Sequence, residues 1–304
     1  MYRGEGMAPT SPRGVYVPLI TPYARDGSVA LDSLERLAHR YLDEGAAGLV
    51  TLATTGEASL LDDAEKRAVV DVCSRVCMDR GTQLIVGIGT NATKATIESA
   101  EGLSDVPGAT AALCVVPYYL RPSQRGIVDH FRAVAASCPV PIVLYNIPYR
   151  TGVLLEPEGL LELARIRNVV GVKHAVGTID AATLRVLAEA PAGFAVLGGD
   201  DPYLFPMTLL GASGAIAASA HVCTRRFVDM IECGVAGMLE EGRAHHEALL
   251  PVVTACFSEP SPAVFKAVLH ARGIIPTPDV RSPMTNASAD ALARALDAID
   301  GASA

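Results

Sequence analysis

Eight short apolar runs recur between residues 15 and 219, separated by longer stretches with helical periodicity. They read VYVPLI (15–20), GLVTL (48–52), QLIVGI (83–88), AALCVV (111–116), PIVLYN (141–146), VVGVKHA (169–175), AVLGG (195–199) and GAIAAS (214–219). Short, Val-rich and bounded by turn residues, they suit strands buried on both faces. The intervening stretches, such as LDSLERLAHRYLDEG and DDAEKRAVVDVCSRVCMDRG, space their apolar residues as helices do. Several carry Asp or Ser near the start and Gly just after the end. Strands alternating with helices build a parallel sheet with right-handed crossovers. Eight units in roughly 200 residues fit a closed barrel better than an open sheet, so the expected fold is α/β, a (β/α)8 TIM barrel. After Ala220 no further strand is evident, and Pro-rich breaks at SEPSP and IPTPDVRSP mark a helical appendage. The expected division is a flexible leader (1–13), a catalytic barrel (14–222) and a C-terminal helical segment (223–304).

Composition excludes several functions. Half of the 304 residues are hydrophobic and 19% are charged, as in a folded soluble protein. The net charge of -8 includes no Lys/Arg block, so neither nucleic acid nor an anionic membrane is an expected partner. No apolar run approaches transmembrane length. The start, MYRGEGMAPTSPRG, lacks the apolar core of a signal peptide, and Met7 is a possible alternative start. Seven cysteines are scattered, and only Cys73 and Cys77 are close, with no second pair or His partner for zinc. Free thiols in a reducing cytoplasm are the expected state.

Lys173 interrupts the sixth run. On a regular strand Val170, Val172 and His174 share one face, and Val169, Gly171, Lys173 and Ala175 the other. Small neighbours leave space beside the amine. A strand-end lysine commonly keeps its ammonium in water. A barrel changes the reading, because such enzymes carry their chemistry at the C-terminal strand ends. Lys173 then shares a rim with ATTGEA, GTNAT, PYY, YNIPYRTG and GGDD, and with Ile216 and Ser219 of the eighth strand.

The other polar residues are read on that rim. GIGTNA (87–92) resembles a dinucleotide loop, but the next strand ends VVPYY without the required acid. Asn91 there suits a helix cap or a rim residue. Glu57 of TTGE suits helix capping, whereas the turn at Thr54 and Thr55 presents backbone N–H groups able to hold a carboxylate. Tyr145 points opposite to Ile142, Leu144 and Asn146, and inside the barrel its hydroxyl needs a partner such as Thr54. Arg150 suits either a solvated charge or a bidentate carboxylate clamp. His174 faces away from Lys173, between barrel and helices, and His245 and His246 are assigned no function. A buried lysine beside hydroxyls suits covalent amine chemistry: burial favours the neutral amine, which attacks a ketone to form an imine.

These motifs, in this order, resemble the dihydrodipicolinate synthase/N-acetylneuraminate lyase family of pyruvate-type class I aldolases. The resemblance runs from GVYVPLITPY (14–23) through TTGE, GTNAT, PYYLRPSQ, YNIPYRTG, GVKHA and GGDD to SEPSPAVFK and RSPMT. It implies a (β/α)8 barrel with a C-terminal helical segment, assembled as a homotetramer, and a lyase without cofactor. By motif, Lys173 is similar to the Schiff-base lysine, Tyr145 to the proton-shuttling tyrosine and Thr54 to the hydroxyl linking it to Tyr119. The residue matching Tyr119 enters from a neighbouring subunit. Thr55 matches the holder of the pyruvate carboxylate, and the backbones of Gly199 and Ile216 match the pocket lining. The Thr–Tyr–Tyr set with Arg150 looks like the synthase branch, in which the arginine binds the carboxylate of aspartate semialdehyde. The implied reaction condenses pyruvate with that aldehyde, in lysine and diaminopimelate biosynthesis. The alternatives are another pyruvate-dependent aldolase or dehydratase acting on a sugar acid or hydroxy-oxo acid, and a non-catalytic pyruvate-binding protein. The chain departs from the pattern in placing His174 after the lysine and in SPAVFK near the end. Ala58, Asp63 and Lys66 stand where lysine-inhibited synthases differ, which argues against lysine feedback.

Overall fold

The computed structural model describes residues 11–303. Eight strands close a parallel barrel in sequential order: β1 (Gly14–Pro18), β2 (Gly48–Thr51), β3 (Gln83–Gly87), β4 (Ala109–Val115), β5 (Ile142–Asn146), β6 (Val169–His174), β7 (Ala195–Gly198) and β8 (Gly214–Ile216). Between them lie α1 (Leu31–Asp43), α2 (Asp63–Arg80), α3 (Thr93–Glu101), α4 (Gln124–Ser137), the single turn α5 (Pro148–Thr151), α6 (Pro157–Leu163), α7 (Ala181–Glu189) and α8 (Leu204–Leu209). Four helices follow the last strand: α9 (Ala220–Ala236), α10 (Leu239–Cys256), α11 (Ala263–Ala271) and α12 (Ala289–Ser303).

Local signals explain where the long helices begin and end. Asp62 caps α2 with a reciprocal Glu65 contact, and Gly81 closes it in the left-handed region at φ 62°. Helix α1 buries Leu34, Leu37, Ala38, Tyr41 and Leu42, one face at helical spacing. Two apolar layers result. One fills the barrel with Val50, Ile85, Leu113, Val143, Leu197 and Ile216; the other, including Leu49, Leu84, Ile142, Leu144 and Val172, lies under the helices. A third cluster, built around Val252, Val264, Phe265, Ala295 and Ile299, joins the C-terminal helices.

Several sequence expectations need correction. Ile142 pairs with Val169 but Val143 pairs with Gly171, so Val170 is an extra residue in β6. That bulge puts Val169 with Val172 outside the barrel and Val170 inside it, reversing the expected faces before the lysine. The eighth strand ends at Ile216, and Ser219 instead precedes α9. Asn91 does not cap α3; its N-cap is Ala92, and Thr90 and Thr96 bond each other across the turn. The 222/223 boundary falls at a kink inside α9, where Cys223 adopts φ -145° and ψ 48°. Residues 1–10 of the expected leader lie outside the described residues, while Pro12 is buried and the Ser11 hydroxyl donates to the Gly193 carbonyl. Among the described residues no helix is long and apolar enough to cross a membrane. All seven cysteines are free thiols, six of them buried.

Candidate active site

A cavity of about 320 Å³ opens at the C-terminal strand ends. Thr54, Thr55, Tyr145, Arg150 and Lys173 line it, and Gly199, just after β7, and Ile216 of β8 complete the wall. The structure therefore brings together seven of the eight expected site residues. Tyr119 lies apart: it is 85% exposed, held at φ 71°, and lines neither this cavity nor an adjoining one of about 290 Å³.

Lys173 reaches the cavity from inside the barrel, 6% exposed. It pairs in register with Tyr145 on β5, and its Nζ lies 4.5 Å from the centroid of that ring. Gly199 makes room for its stem, since a Cβ there would stand 2.9 Å from the lysine Cγ and Cε. Burial lowers the Lys173 pKa to about 8; Asp201 and Asp200 oppose that shift and Arg150 adds to it. Burial likewise raises the Tyr145 phenol, against the Arg150 charge and a hydrogen bond with the Thr54 side chain. At neutral pH the phenol keeps its proton.

The sequence reading placed GGDD on the rim without giving its acids a role. Asp201 is buried, and its Oδ2 accepts the Ser219 N–H at 2.6 Å while its Oδ1 has no protein partner. Asp200 accepts the Gly177 N–H at 2.6 Å, tying the loop after β6 to the end of β7. Burial raises both carboxyl pKa values, and the nearby Lys173 charge holds them down. Two adjacent acids ending an apolar strand were the available signal. Tyr149, also missed, lines the mouth with its ring 4.9 Å from the Arg150 guanidinium carbon. The C-terminal segment closes the cavity with Val253, Thr254, Phe257 and Ser261, a contact that no local pattern announces.

Two other expectations resolve differently. His174 does face away from Lys173; its Nε2 lies 3.2 Å from the Thr183 hydroxyl, and burial lowers its pKa to about 4. Glu57 caps no α-helix: its carboxylate is buried in an ion pair with Lys266. Among the described residues no group of three His, Cys, Asp or Glu side chains is placed to hold a metal ion.

Known proteins are similar to this chain over most of its length. The model of the Dihydrodipicolinate synthetase family matches residues 11–301. A 4-hydroxy-tetrahydrodipicolinate synthase of Moorella thermoacetica is 38% identical over 274 residues, 90% of this chain and 92% of that one. Its counterpart in Methanothrix thermoacetophila is 37% identical over 290 residues, 94% and 96% of the two chains. Among solved structures, the chloride-inhibited dihydrodipicolinate synthase of Acinetobacter baumannii, complexed with pyruvate, superposes with a TM-score of 0.91 at 32% identity. That likeness covers 96% of this chain and 99% of the other. With its barrel, its rim lysine and these relatives, the chain belongs to the dihydrodipicolinate synthetase family.

Proposed function

We propose that this chain condenses pyruvate with aspartate semialdehyde through an imine on Lys173, the reaction of a 4-hydroxy-tetrahydrodipicolinate synthase. The observation that carries this reading is a lysine buried beside a tyrosine phenol in an open cavity, its pKa lowered to about 8. At that pKa a useful fraction of the amine is neutral near pH 7. The neutral Nζ attacks the keto carbon, and the keto oxygen leaves as water. The resulting iminium takes up the electron pair of a methyl C–H bond as that proton departs, giving an enamine. The enamine carbon bonds the aldehyde carbon, and the aldehyde oxygen gains a proton. The amine of the second substrate then displaces Lys173, closes the ring and restores the enzyme, with one water released overall. Because the iminium is the electron sink, the reading includes no cofactor.

Placement in the cavity supports the following side-chain roles. Tyr145 relays protons with Thr54, its hydrogen-bond partner. Thr55 and the backbone of its turn hold the pyruvate carboxylate. Arg150 at the mouth clamps the carboxylate of the aldehyde, and the backbones of Gly199 and Ile216 line the pocket. Tyr119 completes the relay of a neighbouring copy in a homotetramer, which gives an exposed aromatic in a strained backbone conformation a function. Free cysteines throughout suit a cytoplasmic location. Pyruvate as first substrate is supported by its complex with the Acinetobacter relative.

The test is a panel of acceptor aldehydes assayed with pyruvate on the purified protein. Aspartate semialdehyde should be consumed fastest, and borohydride with pyruvate should add one pyruvyl-derived mass to the peptide carrying Lys173. Label elsewhere removes the mechanism. Preference for a sugar-derived aldehyde moves the chain to another aldolase activity.

A further inference from the structure

Lys266 sits in the apolar stretch AVFKAVL of α11 and is 0% exposed. Its Nζ donates to Glu57 Oε1 and, at 2.7 Å, to the Asp279 carbonyl, and lies 3.9 Å from the centroid of Tyr23. The other Glu57 oxygen accepts the Arg281 N–H at 2.8 Å. Both donors stand far along the chain from Glu57, 209 and 224 positions away. The C-terminal segment therefore grips a single carboxylate from two sides.

That carboxylate belongs to an unusual corner. Glu57 adopts φ 54° and ψ 32°, a left-handed conformation that is costly for a non-glycine residue. It immediately follows Thr54, Thr55 and Gly56, and its N–H donates to the Thr54 carbonyl at 3.1 Å. The Thr21 hydroxyl donates to the Gly56 carbonyl at 2.7 Å. Stability alone is a poor account of such a pair, because desolvating two charges commonly offsets their attraction.

We propose that Lys266 and Glu57 are positioning residues through which the C-terminal segment sets the Thr54–Thr55 turn for the carboxylate of the keto acid. The proposal rests on the reading of Thr55 given above. Removing one partner leaves a buried charge unpaired and destabilises the fold. Glu57→Gln with Lys266→Met removes both charges at similar volume, so the double variant separates stability from positioning.

The experiment measures thermal unfolding together with the pyruvate concentration that half-saturates borohydride labelling of Lys173. The double variant should unfold near the parent temperature, yet require at least about tenfold more pyruvate, because a misplacement of about 1 Å can cost as much as about a hundredfold. Turnover at saturating pyruvate should fall far less. Parent-like pyruvate dependence in the double variant overturns the proposal and leaves the pair a structural tie. If the double variant does not fold, Glu57→Asp decides: it keeps the charge but shortens the reach, and unchanged pyruvate dependence again overturns the proposal. A parent that takes no label on Lys173 instead refutes the reading of the site.

Discussion

Lys173 and Tyr145 are register partners on adjacent parallel strands, and the lysine Nζ stands 4.5 Å from the centre of the tyrosine ring. The ring face favours the charged amine. Burial disfavours it more strongly, and burial leads in bringing the pKa to about 8. Near pH 7 the amine is therefore mostly charged, with about a tenth of it neutral.

The first prediction concerns pH. Only the neutral amine attacks, and below pH 8 its fraction falls about tenfold per pH unit. The second-order rate of imine formation with pyruvate should therefore rise about tenfold between pH 6 and 7 and level off above roughly pH 8.5. Rapid borohydride quenching measures it. A rise continuing toward pH 10.5 would show an unperturbed lysine.

Removing the charge should stabilise the fold. The lysine binds its proton less tightly folded, with a pKa of about 8, than unfolded, at 10.5. Below about pH 8 both states hold the proton, and the difference opposes folding by roughly 3 kcal/mol. Loss of the attraction to Asp200 and Asp201 offsets part of any gain. Lys173→Met should therefore unfold about 1–3 kcal/mol harder at pH 7, with no imine chemistry. Between pH 8 and 10.5 the unfolded state binds more protons than the folded one, so the parent gains stability and the variant's advantage should shrink. Denaturant titrations at pH 7 and 9.5 compare them.

Arg150 separates the two substrates. With Arg150 as the proposed clamp of the aldehyde carboxylate, Arg150→Ala should lower kcat/KM for that substrate roughly 10- to 100-fold. Its effect on the pyruvate step should be smaller and of a different kind. The guanidinium helps lower the Lys173 pKa, so the pH profile of imine formation should move upward in the variant. Single-turnover measurements resolve both effects, and equal losses in the two steps would contradict this assignment.

Tyr119 tests whether sites are shared. Tyr119→Phe should lower turnover without altering the unfolding transition, since the side chain is 85% exposed in the single chain. Mixed oligomers of that variant with Lys173→Ala should regain activity, because some sites would then combine both intact residues. Demonstrated subunit exchange without regained activity would confine Tyr119 to its own chain.

The sequence by itself determined the barrel and the face of its chemistry. Repeated apolar runs and helical spacing admit few topologies, and the strand period after the bulge aims Lys173 and Tyr145 at the same interior. Before the bulge that period misled, because an extra residue at Val170 leaves no mark in composition. Tertiary structure alone decided what surrounds those residues. The lysine pKa is depressed because burial outweighs the pull of two acids brought from the end of β7. Glu57 reads locally as a cap; only a lysine 209 positions downstream, placed by the packing of α11, makes it half of a buried pair. Periodicity is a local property of the chain, whereas desolvation and charge pairing arise only when distant segments exclude water together.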